Sequence, residues 1–118
     1  MTIPRNVMLM DEFENSMKGK YECVSFGIVN DDITLTNWHG SIITRKGDIF
    51  EFNFTCDDKF PLNPPDITFD KNILNNKYIV LICDEKGKLK QNVLNNIKWS
   101  NSSSIGVYLM NIKKMLDN

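Results

Sequence analysis

The chain has 118 residues, 42% hydrophobic and 25% charged, and its 14 lysines and arginines against 15 aspartates and glutamates leave a net charge of −1. That size fits one domain over residues 1–118, burying roughly two thirds of its unfolded surface without disulfides, and the absence of a long basic run argues against nucleic-acid binding. No stretch approaches the roughly 18 uninterrupted apolar residues of a membrane span, and the opening MTIPRNVMLMDEF lacks the apolar core of a signal peptide.

Cys23, Cys56 and Cys83 stand singly with no CxxC pair, so neither a disulfide framework nor a metal site is expected, and a reducing cytoplasmic or nuclear setting is. His39 is the sole histidine, which excludes any site needing two imidazoles. Its context, TNWHGS, reads as a strand residue on a half-exposed sheet face.

From Ile3 to Ser16 the spacing predicts an amphipathic helix: Pro4 suits the first turn, and Leu9, Met10, Phe13 and Met17 recur at three- and four-residue intervals. Lys18-Gly19-Lys20 ends it with a glycine and two cations that suit a helix C-terminus. From Tyr21 the period becomes two, with Val24, Phe26 and Ile28 alternating with Cys23, Ser25 and Gly27, before the turn signal Asn30-Asp31-Asp32. Cys23 and Cys56 are read as small core or sheet residues.

A second strand is expected over 33–44 (ITLTNWHGSIIT), then the tight connection Arg45-Lys46-Gly47-Asp48 and a third strand over 49–55 (IFEFNFT) with Phe50, Phe52 and Phe54 on one face as core. Phe60-Pro61-Leu62-Asn63-Pro64-Pro65 takes the chain out of the meander on an extended path to the short apolar run Ile67-Thr68-Phe69. Residues 72–96 read as irregular, with an apolar piece, Tyr78 to Ile82, that has no assigned role. Serines then open a closing helix over 102–116 carrying Ile105, Tyr108, Leu109, Ile112 and Leu116 at helical spacing. Strands flanked by helices make this an α+β layer structure.

This order, with Pro4-Arg5-Asn6 opening the first helix, DDITLTNWHGSII over 31–43, FPLNPP over 60–65 and Lys98-Trp99-Ser100 leading into a helix, resembles the ubiquitin-conjugating enzyme fold over nearly the entire chain. The first two words resemble its variants of the Mms2/Uev1 group, which lack the active-site cysteine. The resemblance implies an N-terminal helix, an antiparallel four-stranded meander and a C-terminal helix, without the last two helices of catalytic members. Departures are the short hairpin over 44–49, the poorly matching 72–90, and Val7 where the group has a phenylalanine.

A conjugating enzyme holds ubiquitin as a thioester on a cysteine and stabilises the oxyanion with an amide donor, in this family the asparagine of a His-Pro-Asn word. No such word exists here, and Cys83 lies farther from Trp99 than the family's nucleophile does from its tryptophan. Counting back from Trp99 places the family's position closer to Gly87, Lys88 and Leu89. Asp84 and Glu85 beside Cys83 disfavour its thiolate, against an offset from Lys77, Lys86 and Lys88.

The resemblance therefore implies a non-catalytic subunit that forms a heterodimer with a catalytic ubiquitin-conjugating enzyme and holds acceptor ubiquitin noncovalently, directing chains through lysine sixty-three of ubiquitin. By the same resemblance Pro4, Arg5, Asn6 and Val7 match the stretch that docks on the conjugating enzyme, Lys46 and Asp48 lie near that surface, and Ser25 and Ser41 match sheet positions that contact the acceptor. Two other readings of the residues stay open: a divergent active enzyme using Cys83, and a peptide- or protein-binding module of the same fold.

Overall fold

Phe50, Phe52 and Phe54 are at most 2% exposed while Glu51, Asn53 and Thr55 face solvent, as the alternation of IFEFNFT requires. The computed structural model that shows this describes residues 3–100 and 102–117. In chain order it contains α1 (Arg5–Met17), β1 (Val24–Ile28), β2 (Asn37–Ile43), β3 (Ile49–Thr55), β4 (Asp66–Phe69), a 3-10 turn (Lys71–Ile73), α2 (Ile79–Ile82), α3 (Gln91–Asn96) and α4 (Ile105–Leu116). The strands form one antiparallel meander in the order β1-β2-β3-β4, as expected for this α+β architecture.

Register explains why Gly40 is a glycine. Phe26, Gly40, Phe52 and Phe69 form one row across the four strands, and a Cβ on Gly40 would lie 2.7 Å from the Phe52 ring. The missing side chain lets that ring cross the sheet's inner face. The next inner row, Ile28, Trp38, Phe54 and Ile67, stacks Trp38 on Phe54 at 5.7 Å, and Phe13 of α1 meets the Trp38 edge at 6.1 Å. Leu9 from α1 and Ile105, Leu109 and Ile112 from α4 complete this core, each without exposed surface.

α1 also covers an edge. The Phe26 N–H on edge strand β1 donates to Ser16 Oγ at 2.9 Å, so a backbone group that would template foreign strands is satisfied by the helix beside it.

The sequence reading needs five corrections. The buried side of α1 carries Leu9, Glu12 and Ser16, with Phe13 half-buried, whereas Met10 and Met17 are 40% and 73% exposed. Polar residues go inside here because each has a built partner, so hydrophobic periodicity placed Leu9 and Phe13 correctly and Met10 and Met17 on the wrong side. Pro4 precedes the helix as its N-cap rather than sitting in the first turn.

The second strand starts at Asn37, because residues 33–36 form a turn around the Asp32 carboxylate. That carboxylate accepts the N–H groups of Thr34 at 3.0 Å, Thr36 at 3.3 Å and Asn37 at 2.9 Å. The Thr34 hydroxyl, with the Asn37 and Thr34 N–H groups, holds the Asp32 pKa well below the ordinary carboxylate range. Finally, Cys23 is exposed with φ 63 in the turn before β1, so it is neither core nor sheet, and 72–96 is not wholly irregular, since α2 buries Ile79 and Ile82, and α3 buries Val93.

Candidate functional site

Cys83 caps the C-terminus of α2, its N–H donating to the Ile79 carbonyl at 2.9 Å, and is 4% exposed. Burial, reinforced by the Asp84 carboxylate and only partly offset by Lys90, pushes its thiol up to about 12. Cys56 has no exposed surface and burial likewise pushes it to about 12, despite the Arg5 guanidinium nearby. Neither supplies a thiolate near neutral pH.

The positions expected to replace the nucleophile carry none. Gly87 turns with φ +87 against β4, where a Cβ would stand 2.5 Å from the Phe69 carbonyl oxygen. Lys88 pairs with Asp66 at 3.1 Å, and Leu89 is buried. Among the described residues no group of three or more His, Cys, Asp or Glu side chains could hold a metal ion. No helix among them is long and apolar enough to cross a membrane.

The outer face of the sheet is open. Ser25 and Ser41 are paired across β1 and β2, their Oγ atoms 3.1 Å apart. Beside them His39 shares a 2.9 Å hydrogen bond between Nδ1 and Asn53 Oδ1, as an exposed strand residue. Sequence reasoning missed two residues of this face: Ile43 and Ile49 are paired across the hairpin and are 42% and 59% exposed. The signal was present, since Ile49 is an apolar residue on the polar phase of IFEFNFT.

A second open surface runs along α1. Val7, Met10 and Met17 are 50%, 40% and 73% exposed, and their spacing of three and seven residues puts them on the side of the helix away from Leu9, Glu12 and Ser16, whereas the exposed Ile3, before the helix, lies with Met8 and Phe60. Pro4 and Asn6 are exposed beside them. At its far end Met17 borders Ser25, Gly27, His39 and Ser41, so the two surfaces are continuous.

The structure does not gather all the residues assigned to partner docking. Arg5 reaches the Thr34 and Cys56 carbonyls at the start of β2 and the end of β3, whereas Lys46 and Asp48 sit in the β2–β3 turn at the opposite end of those strands. There Lys46 Nζ donates to Tyr78 Oη at 2.7 Å and lies 3.9 Å from the centre of that ring; the ammonium lowers the phenol's pKa. Lys46 thus ties the hairpin to the segment before α2.

The words that carried the family resemblance also meet in space. Trp99 Nε1 donates to the Pro61 carbonyl at 2.8 Å, and its ring packs 5.7 Å from Phe60 and 5.2 Å from Tyr108. Residues 8–118 match the family described as ubiquitin-conjugating enzyme. The chain belongs to the ubiquitin-conjugating enzyme family. Its relatives include ubiquitin-conjugating enzyme spm2 of Schizosaccharomyces pombe, 30% identical over 120 residues that cover 95% of this chain and 84% of that protein. The variant MMS2 of Saccharomyces cerevisiae is 35% identical over 78 residues, 60% of this chain and 57% of its own, and the E2 variant 1C of Arabidopsis thaliana is 34% identical over 80 residues, 62% and 55%. These alignments thus span little more than half of the budding yeast and Arabidopsis variants.

Such relatives make this family member one of the variants of the Mms2/Uev1 group. The conjugating-enzyme fold is equally plain in solved structures. Human ubiquitin-conjugating enzyme E2 G1 superposes with a TM-score of 0.76 and 22% identity, covering 98% of both chains. A Toxoplasma gondii ubiquitin conjugating enzyme domain does so at 0.72 with 25% identity, covering 95% of this chain and 74% of its own.

Proposed function

We propose that this variant is a non-catalytic subunit that pairs with a catalytic ubiquitin-conjugating enzyme and holds acceptor ubiquitin, so that chains are linked through lysine sixty-three of ubiquitin. It acts as one domain over residues 1–118, in the cytoplasm or nucleus. The observation that carries the reading is the apolar stripe Val7, Met10 and Met17 on the solvent side of α1. A helix of a finished fold leaves such a line in water when something else covers it. Pro4, Asn6 and Val7 lie on or beside that stripe, in agreement with the docking stretch that the family resemblance implies.

Acceptor ubiquitin is assigned to the outer sheet face around Ser25, Ser41, Ile43 and Ile49. That face adjoins the stripe at Met17, so partner and acceptor would sit side by side. Holding the acceptor raises its local concentration and fixes which lysine reaches the partner's thioester. No residue of this chain then needs to move a proton, which agrees with two buried thiols and a nucleophile position filled by Gly-Lys-Leu.

The test is chain synthesis with activating enzyme, ATP, ubiquitin and the catalytic conjugating enzyme that serves the Mms2/Uev1 group. Wild type is expected to promote free lysine-sixty-three chains, Val7→Ala to weaken pairing by about tenfold, and Val7→Phe to match or strengthen it, because the larger anchor buries more area. Absence of both binding and chain formation would remove the reading in favour of a module for another partner. A thioester on Cys83 in a non-reducing gel would restore the enzyme alternative.

A further inference from the structure

Arg5 was placed by resemblance in the docking stretch, yet its guanidinium is fully engaged inside the chain. Nε donates to the Asp57 carbonyl at 2.9 Å. Nη1 donates to Asn6 Oδ1 and the Thr34 carbonyl, both at 2.9 Å, and Nη2 donates to the Cys56 carbonyl at 2.8 Å and the Leu35 carbonyl at 3.2 Å. A guanidinium has five N–H donors, so none remains for a partner. The four carbonyls come from two segments far apart in sequence, and only a planar fork reaches them together.

What this fork holds is informative. Leu35, with φ 56, occupies a left-handed conformation that is unfavourable for its side chain and needs support. Its carbonyl accepts from Arg5 and from Trp38 Nε1, while Asp32 takes the N–H groups of Thr34, Thr36 and Asn37. The β1–β2 loop is therefore fixed on its carbonyl side and on its amide side. On this rigid loop stands Ile33, 91% exposed, the residue before Thr34. The same Nη1 that binds the Thr34 carbonyl binds Asn6, the residue before Val7, so the loop carrying Ile33 and the helix turn carrying Val7 are joined through one nitrogen.

We infer that Arg5 is a positioning residue for partner docking: it fixes the loop that carries Ile33 to the helix turn that carries Val7, so that both meet the conjugating enzyme as one preset surface. The inference rests on the pairing proposed above and extends it from α1 to the β1–β2 loop. An apolar side chain held rigid before binding loses little entropy on contact, which is the condition for a strong anchor. Arg5 acts through the loop and touches no partner atom.

Isothermal titration of the full chain against the same conjugating enzyme tests it. Ile33→Ser, a change at an exposed site, is expected to weaken pairing by about tenfold with an unchanged melting temperature. Arg5→Ala and Arg5→Lys are both expected to weaken pairing, since an ammonium cannot span four carbonyls, while acceptor-ubiquitin binding stays intact and reports a folded sheet. In the Arg5→Ala background Ile33→Ser should add less than about twofold, because the loop no longer presents the side chain. Wild-type pairing by Ile33→Ser, or full additivity of the two changes, overturns the inference. If wild type itself binds no conjugating enzyme, the proposed function falls and takes the inference with it; if wild type binds and the variants match it, the inference alone falls.

Discussion

The carboxylate of Glu12 on α1 accepts the backbone N–H of Ile105, the first residue of α4. Its other oxygen accepts the hydroxyls of Tyr21 and Ser104, both at 3.1 Å, and Ser104 in turn caps the Val107 N–H. One side chain thus satisfies an orphan donor of α4, places a negative charge at its positive end and ties two helices together. Glu12→Ala leaves the buried Ile105 N–H without an acceptor, while the Tyr21 and Ser104 hydroxyls keep each other at 3.0 Å, and is expected to cost about 1–3 kcal/mol in urea unfolding. Glu12→Gln, which keeps a carbonyl oxygen, should cost clearly less. Equal losses would show that packing, not acceptance, is what Glu12 supplies.

Gly106 lies one residue further into α4, where alanine would ordinarily gain about 1 kcal/mol of helix propensity. Here a Cβ would stand 2.0–2.3 Å from three carbons of the Tyr21 ring. Overlap of that depth displaces Tyr21 from Glu12 and Ser104, and overpacking typically costs about 1–3 kcal/mol on top of the lost bonds. Gly106→Ala is expected to lower the melting temperature despite its propensity; a rise would mean that the ring moves aside freely.

The thiols make stability fall at alkaline pH. Cys56 and Cys83 stay neutral in the folded chain up to about 12, against the ordinary thiol value of 9.0, because ionising them would bury a charge. The unfolded chain therefore releases these protons first, and the stability they contribute is complete below about pH 9 and is lost as pH rises from there through 12. The phenols of Tyr21 and Tyr108, also raised by burial, act in the same direction. Cys83→Ala should flatten the decline of the unfolding free energy by up to about 1.4 kcal/mol per pH unit in that window. An unchanged slope would mean that Cys83 titrates like a free thiol and is open to solvent.

Period-two alternation made β3 legible residue by residue, because a half-buried strand leaves no other arrangement for three phenylalanines. The words around Pro61 and Trp99 were legible through the family resemblance alone, and that they touch is visible only in the fold. What failed was the face of α1: Glu12 and Ser16 are polar and buried, and only their distant partners, Ile105, Ser104, Tyr21 and Phe26, justify this. The turn at 33–36 was hidden for a similar reason. β-branched residues favour a strand, but the Asp32 carboxylate and the Arg5 fork, one local and one remote, override that preference. The same blindness kept Ile33 and Ile49 out of the candidate site, since an exposed isoleucine is informative only once its exposure is known.

The last prediction separates the two surfaces. Ser25 and Ser41 satisfy each other at 3.1 Å and stand on the outer face, so an arginine at either position has room to extend into solvent and should change stability by less than about 0.5 kcal/mol. On that face, however, it places a long cation on the surface proposed to hold acceptor ubiquitin. Ser25→Arg and Ser41→Arg are therefore expected to raise the KM for acceptor ubiquitin by about tenfold or more while pairing with the conjugating enzyme keeps its affinity. Ile49→Ser should act in the same sense, because it removes an exposed apolar contact two residues along β3 from the neighbour of Ser41, Glu51. Val7→Ala should do the opposite, weakening pairing and leaving acceptor binding by the isolated subunit unchanged. If serine and valine variants lose both activities together, partner and acceptor share one surface, and the division between the α1 stripe and the sheet face is wrong.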